Sequence, residues 1–442
     1  MHKKTVYPLA LMVLSLLTLY PAANGLFAAA KKGDSCVTAK CHNKMGKARY
    51  IHDPVAAGRC KFCHEHTGKH AFKPIKNIGS ICYQCHDEPY AGKSLHSPVK
   101  KGRCSDCHDP HQSPFKFLLK AESSGLCFSC HDAAPFQRKF PHGPASLGDC
   151  GICHDPHASD APFLLMSEGN EACFSCHTDQ QAELAQKPYT HDPAAEGCVK
   201  CHDPHSSDYR YGLAKDGRQA LCFSCHEDMQ EQITAATVKH KGLAAEKGCL
   251  TCHDPHTSDY SMQLTAQPLA LCMRCHDREY KTSTGKIADI KALLAANSNH
   301  HGPIRDNDCS ACHDPHGSAN FRMLKEYFPR RFYAPYNPDN YKLCFMCHQN
   351  TIAETASTTT LTSFRNGDQN LHFLHVNRSK GRTCRACHDA HASNNPGHIR
   401  DAVPYGSWSL PINITLTPNG GKCSPGCHQP FRYNRIKAVP NR

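Results

Sequence analysis

The motif C-x-x-C-H occurs thirteen times in this chain, and it constrains the fold more than length or charge does. The copies comprise Cys60, Cys63 and His64; Cys82, Cys85 and His86; Cys104, Cys107 and His108; Cys127, Cys130 and His131; Cys150, Cys153 and His154; Cys173, Cys176 and His177; Cys198, Cys201 and His202; Cys222, Cys225 and His226; Cys249, Cys252 and His253; Cys272, Cys275 and His276; Cys309, Cys312 and His313; Cys344, Cys347 and His348; and Cys384, Cys387 and His388. Two stretched versions, Cys36 with Cys41 and His42 and Cys423 with Cys427 and His428, complete fifteen pairs and use all 30 cysteines. Two neighbouring thiols can reach the two vinyl carbons of one porphyrin while the following imidazole turns onto the iron. The motifs therefore predict fifteen covalently attached haem c groups, with the motif histidines as proximal ligands.

Other uses of the cysteines fit less well. A structural zinc site needs four tetrahedral ligands from paired knuckles and has no need of a histidine after every second cysteine. A disulfide scaffold would waste its bridges on two-residue loops that tie nothing distant together. The stretched pairs are the likeliest to form local disulfides, yet each keeps its trailing histidine.

The remaining histidines test the haem reading. Of 34 histidines, fifteen sit in motifs and one, His2, lies in the leader, which leaves 18 as second axial ligands. Seven stand seven to nine residues before alternate motifs: His52, His96, His142, His191, His240, His301 and His375. Seven more follow the same motifs, in C-H-D-P-H at His111, His157, His205, His256 and His316, in C-H-D-A-H at His391, and in C-H-E-H at His66. A histidine three residues past a proximal ligand cannot swing to the far face of the same porphyrin, so these are expected to ligate a neighbouring haem, with solvent-exposed turn histidines as the bland alternative. The fifteenth distal ligand is left open among His70, His300, His372 and His398. Pro110, Pro156, Pro204, Pro255 and Pro315 are expected to end the short helix that carries each motif.

Motifs alternate between two kinds, H-x7–9-C-x-x-C-H-D-P-H-x-S and L-C-F-S-C-H, giving seven doubled modules behind a solitary first motif. Hydrophobic residues make up only 39% of the chain, below the roughly 45–50% of ordinary soluble domains, and mean hydropathy is -0.56. The expected fold is mostly irregular with short α-helices, an elongated array of porphyrins wrapped by about 27 residues each, with little β beyond one C-terminal hairpin near Ile412, Ile414, Leu416 and Asn419-Gly420-Gly421. Tyr83, Phe128, Phe174, Phe223 and Phe345 are read as packing against haem edges. An extra amphipathic helix is expected over 286–296 through Ile287, Ile290, Leu293 and Leu294, a haem cover or docking segment over Phe321 to Tyr341, and a surface loop over 351–370.

Lys3 and Lys4 precede an apolar run from Val6 to Leu19 and a small-residue stretch at Ala28-Ala29-Ala30, the layout of a secretory leader. The reading is a signal peptide over 1–30 and an array over 31–442, with no transmembrane span of its own. The formal charge of +12 does not imply a nucleic-acid partner: thirty propionates and fifteen ferric centres would bring the oxidised holoprotein to about -5.

The pairing of C-x-x-C-H-D-P-H with L-C-F-S-C-H resembles the doubled-CXXCH multihaem cytochromes c over nearly the whole mature chain. The closing stretch from Ser363-Phe364-Arg365-Asn366-Gly367 through Cys384-Arg385-Ala386-Cys387-His388 to Gly420-Gly421-Lys422-Cys423 is similar to the C-terminal module of large multihaem cytochromes from metal-reducing bacteria. The four-residue spacing of Cys36 and Cys41 is similar to that in the tetrahaem and high-molecular-weight cytochromes of sulfate reducers. The resemblance implies bis-His, low-potential haems in a periplasmic wire, with redox partners such as periplasmic or inner-membrane cytochromes, an outer-membrane porin and an outer cytochrome. The expectation is an electron carrier without catalytic residues, in the periplasm, at the outer membrane or secreted. The rivals are a multihaem reductase of nitrite, hydroxylamine or a sulfur oxyanion, against which no C-x-x-C-K motif occurs, and an extracellular cytochrome filament.

Overall fold

The computed structural model describes residues 36–88, 92–282, 285–405 and 407–441. The leader and the start of the mature chain at Lys31 lie outside them. Two compact units are present, one of Met1–Ala91 with Leu95–His131 and one of Gly92–Ser94 with Asp132–Arg442. No helix among the described residues exceeds nine residues, and none is long and apolar enough to cross a membrane.

Five first-kind modules are built from the same local parts. The upstream histidine, itself extended, precedes a helix of four or five residues, as His52 does before Asp53–Ala56 and His142 before Gly143–Leu147, whereas His240 precedes the 3-10 turn Lys241–Ala244 and His375 lies within the helix Leu371–Val376. Proline in the first turn, where its missing N–H costs nothing, sets the helix direction. The motif itself is a three-residue 3-10 turn such as Cys104–Asp106 or Cys150–Ile152. That turn has ended before the Asp-Pro step is reached, so the proline is not its terminator. The aspartate shapes the bend instead: Asp109 Oδ1 accepts the His111 backbone N–H at 2.9 Å, and the same bond recurs at His157, His205, His256, His316 and His391.

Consecutive modules are stitched by two-residue antiparallel strand pairs, which the sequence pattern does not announce. In the first unit Tyr50 faces Ser113. In the second, Phe140 faces Ser207, Tyr189 faces Ser258, Val238 faces Ser318 and Asn299 faces Ser393. The serine of H-x-S is required there because its hydroxyl donates to a carbonyl six residues on, as Ser159 does to Leu165 at 2.7 Å, and accepts the N–H two residues on. All of these serines but the half-buried Ser318 are buried.

Beyond residue 300 a conventional core forms around Phe328, Tyr341, Ala353 and Val376. The segment 351–370 is therefore not a simple surface loop. It contains the helix Thr351–Glu354 and the paired strands Arg365–Asn366 and Gln369–Asn370, and Asn370 is fully buried. The extra helix spans Ile290–Ala296, capped by Asp289, with Ile287 in a preceding strand rather than on the helix. The expected hairpin is present as Ile414–Thr417 against Gly420–Cys423, and Phe431–Asn434 adds a third strand. A side chain at Gly420 would meet the Tyr433 carbonyl oxygen, so this register admits only glycine.

Candidate haem site: a ladder of paired histidines

Each motif turn fixes its histidine by a main-chain bond to the first cysteine, for example His154 N–H to the Cys150 carbonyl at 3.0 Å. In the first-kind motifs a second bond orients the ring. Nδ1 of His108, His154, His202, His253, His313 and His388 lies 2.7–3.0 Å from the carbonyl oxygen nine residues on. A carbonyl can only accept, so the proton sits on Nδ1 and the Nε2 lone pair is left for a metal. The accepting carbonyls belong to Phe117, Phe163, Tyr211, Met262, Arg322 and Gly397, all left-handed with φ between 57° and 65°. Five of these six are not glycine, so local strain is accepted to aim the ligand.

Among the described residues, thirteen motif histidines face a second histidine across 5.9–6.5 Å between ring centres, all but one pair stacked. An imidazole nitrogen lies about 2 Å from a first-row metal and about 1.1 Å from its ring centre, so two axial imidazoles on one iron stand about 6.2 Å apart. The facing pairs fit a bis-His iron, and their residues fit haem.

The pairing follows a rule. An upstream histidine faces the second-kind motif of its own module: His52 faces His86, His96 faces His131, His142 faces His177, His191 faces His226, His240 faces His276, His301 faces His348 and His375 faces His428. The histidine after a first-kind motif faces the motif histidine of the module before it: His111 faces His64, His205 faces His154, His256 faces His202, His316 faces His253 and His391 faces His313. The two sets are joined through the backbone, since His52 N–H donates to the His111 carbonyl at 3.0 Å, and His142, His191 and His301 do likewise to His205, His256 and His391.

Of the four histidines left open, His372 is brought opposite a motif histidine, facing His388 at 6.3 Å. It shares the helix Leu371–Val376 with His375, so one short helix carries two of the facing rings. Burial holds His372 at about 4 and also lowers His375, which keeps both rings neutral with lone pairs available. His300 instead donates Nε2–H to the Leu294 carbonyl, His398 meets His301 edge-on, and His70 occupies a left-handed hairpin position. His66 is not brought opposite a motif histidine among the described residues. C-H-E-H lacks the Asp-Pro bend, and the chain folds directly into the hairpin His66–Gly68 with Ala71–Phe72, where His66 packs edge-on against Phe72 and Glu65 pairs with Lys73. His42 likewise faces no second histidine among the described residues.

The cysteines add an order to the ladder. The first cysteine of a second-kind motif has the first cysteine of the next first-kind motif as an electrostatic neighbour in five places: Cys82 and Cys104, Cys173 and Cys198, Cys222 and Cys249, Cys272 and Cys309, and Cys344 and Cys384.

Six segments, residues 52–90, 96–136, 142–182, 191–231, 240–281 and 301–353, match the doubled CXXCH motif family. The matches cover more than half of the chain, each beginning on an upstream histidine, and the chain belongs to this family of multihaem c-type cytochromes. No curated protein matches it.

Proposed function

We propose that this chain is an electron carrier holding fifteen haem c groups, most of them bis-His, which conducts electrons in the periplasm or through the outer membrane towards extracellular acceptors. Haem c supplies one-electron redox chemistry at its iron. The observation that carries the reading is the common spacing of the thirteen facing pairs, because substrate chemistry needs an open or weakly held sixth position and these positions are filled by imidazole. The neighbourhood of first cysteines from consecutive motifs supports a path in chain order. The proximal roles extend to His42 and His108, and a distal role to His157, by the motif rule. Proposed partners are periplasmic or inner-membrane cytochromes at one end and a porin with an outer cytochrome at the other.

Whole-protein mass spectrometry of the exported protein tests the count, with fifteen haems on a chain starting near Lys31 expected. Fewer than thirteen would sink the assignment, whereas thirteen or fourteen would make a stretched pair haem-free. The purified protein is expected to turn over nitrite, hydroxylamine and sulfite negligibly with a strong reductant. Rates of about 1–10³ per second would favour a reductase.

A further inference from the structure

Equivalent positions of the repeats can be compared within this one chain. The left-handed residue nine after the motif histidine is Phe117, Phe163, Tyr211 and Met262 in four modules, and Arg322 in the next. The residue after the first motif cysteine is Ser105, Gly151, Val199, Leu250 and Ser310, and then Arg385; the residue twelve after the motif histidine is Lys120, Met166, Ala214, Thr265 and Lys325, and then Arg400. Arginine thus enters these repeat positions only around the motifs of Cys309 and Cys384.

The replacements converge. Arg322 and Arg330 both stack on Phe321, with guanidinium carbons 5.1 and 4.3 Å from the ring centre, and Arg322 donates to the Lys286 carbonyl at 2.7 Å. Arg400 is 20% exposed, donates Nε–H to the His388 carbonyl at 2.9 Å and lies 3.2 Å from Asp389. Burial and the charges of Arg400 and Arg322 lower the proton affinity of Arg385, and burial with Arg330 does the same to Arg322. Asp389, which neighbours Arg385, is already committed to Arg400 and to the His391 N–H. Like charges gathered in a partly buried place are costly unless anions join them.

We propose that Arg322, Arg330, Arg385 and Arg400 form a carboxylate-binding cluster that takes the propionates of the haems attached at Cys309 and Cys384, and that these two haems are the highest-potential sites of the array. The proposal rests on the haem reading above. Guanidinium forks match carboxylates in two-point geometry. Propionates near an iron favour its ferric state, and neutralising them favours the ferrous state, since local net charge is one of the levers on potential. Electrons would then collect at this end of the ladder.

The test uses the full-length holoprotein with the residues of the Cys249 module at the equivalent positions: Arg322→Met, Arg385→Leu and Arg400→Thr, singly and together. Haem content by mass and the low-spin signal report the haem reading separately, and both are expected to match the wild type. In a potentiometric titration, each single variant should cut the reduced-to-oxidised ratio of the highest-potential component about tenfold at the wild-type midpoint, about 59 mV for one electron. Arg103→Gln, in another module, should leave that component in place. An unshifted top component in the triple variant with haem content intact would overturn the proposal. Added inorganic phosphate should not move the wild-type titration; a phosphate shift that disappears in the triple variant would mean that the cluster takes an external anion, and would overturn the propionate assignment.

Discussion

Within the second unit, residues 132–282 and residues beyond 300 hold their histidine pairs in different ways. The repeats between 132 and 282 bury little apolar surface: Ala158, Ala161, Ile233 and Ala236 are their buried hydrophobic residues, whereas eleven of the fifteen in the described chain lie past residue 300. What the repeats bury instead are the bridge residues Ser159, Ser206, Ser207, Thr257 and Ser258. Large apolar side chains stand open in them, with Phe163 85% and Tyr211 82% exposed. The C-terminal region mounts the same His–His spacing on a side-chain core. Ligand geometry can therefore be specified either by hydrogen-bonded turns or by packing, and the two should respond differently to perturbation.

The largest contrast is expected on removing the cofactor. Protein produced without haem attachment should lose amide protection throughout 132–282 in hydrogen exchange, while the strands between Ile414 and Asn434 keep some. Uniform loss across both regions would show that the C-terminal packing is not independent. Next, Tyr341→Ala should cost about 3–5 kcal/mol, as for other large aromatic truncations in cores, measured by guanidinium denaturation of the holoprotein. Tyr341 is fully buried in the cluster with Phe328, Ala353 and Val376, so a change under about 1 kcal/mol would argue against a packed core there.

Asn370→Ala should cost about 2–3 kcal/mol, combining a lost helix cap with buried groups left unpaired. Its side chain accepts the His372 and Phe373 N–H groups and donates to the Ile352 and Thr355 carbonyls. Because the capped helix carries His372 and His375, the same variant should give a high-spin ferric signal. The smallest effect is expected in the repeats. Met262→Gly should stabilise by about 1 kcal/mol by removing a left-handed side chain, since Gly397 already serves at the equivalent position. Destabilisation would mean that the Met262 side chain contributes more than its strain costs.

Covalent anchors and the division of histidines into upstream and downstream sets were legible because both are fixed by short spacings. Which motif histidine each downstream histidine faces was not, because that depends on a strand register such as Tyr50 opposite Ser113, and two-residue strands leave no periodicity to read. His372 was within reach: Asn370 before an apolar stretch with histidines three apart is a capped helix presenting both on one face. His66 shows the opposite failure, since it keeps the count of histidines but lacks the aspartate and proline that aim the others. The prolines at 54, 98, 144, 193 and 303, just after the upstream ligands, were an overlooked signal for the helices that place them. Buried Ala353 and Asn370 were hidden in a Ser/Thr-rich stretch because burial there comes from side-chain hydrogen bonds as much as from apolar contact.

The most direct test of the bis-His ladder is quantitative electron paramagnetic resonance of the oxidised holoprotein, integrated against its haem content. Thirteen facing pairs predict at least thirteen low-spin ferric irons per chain, with any high-spin signal confined to the haems of His42 and His108. High-spin iron in excess of two per chain would contradict the ladder.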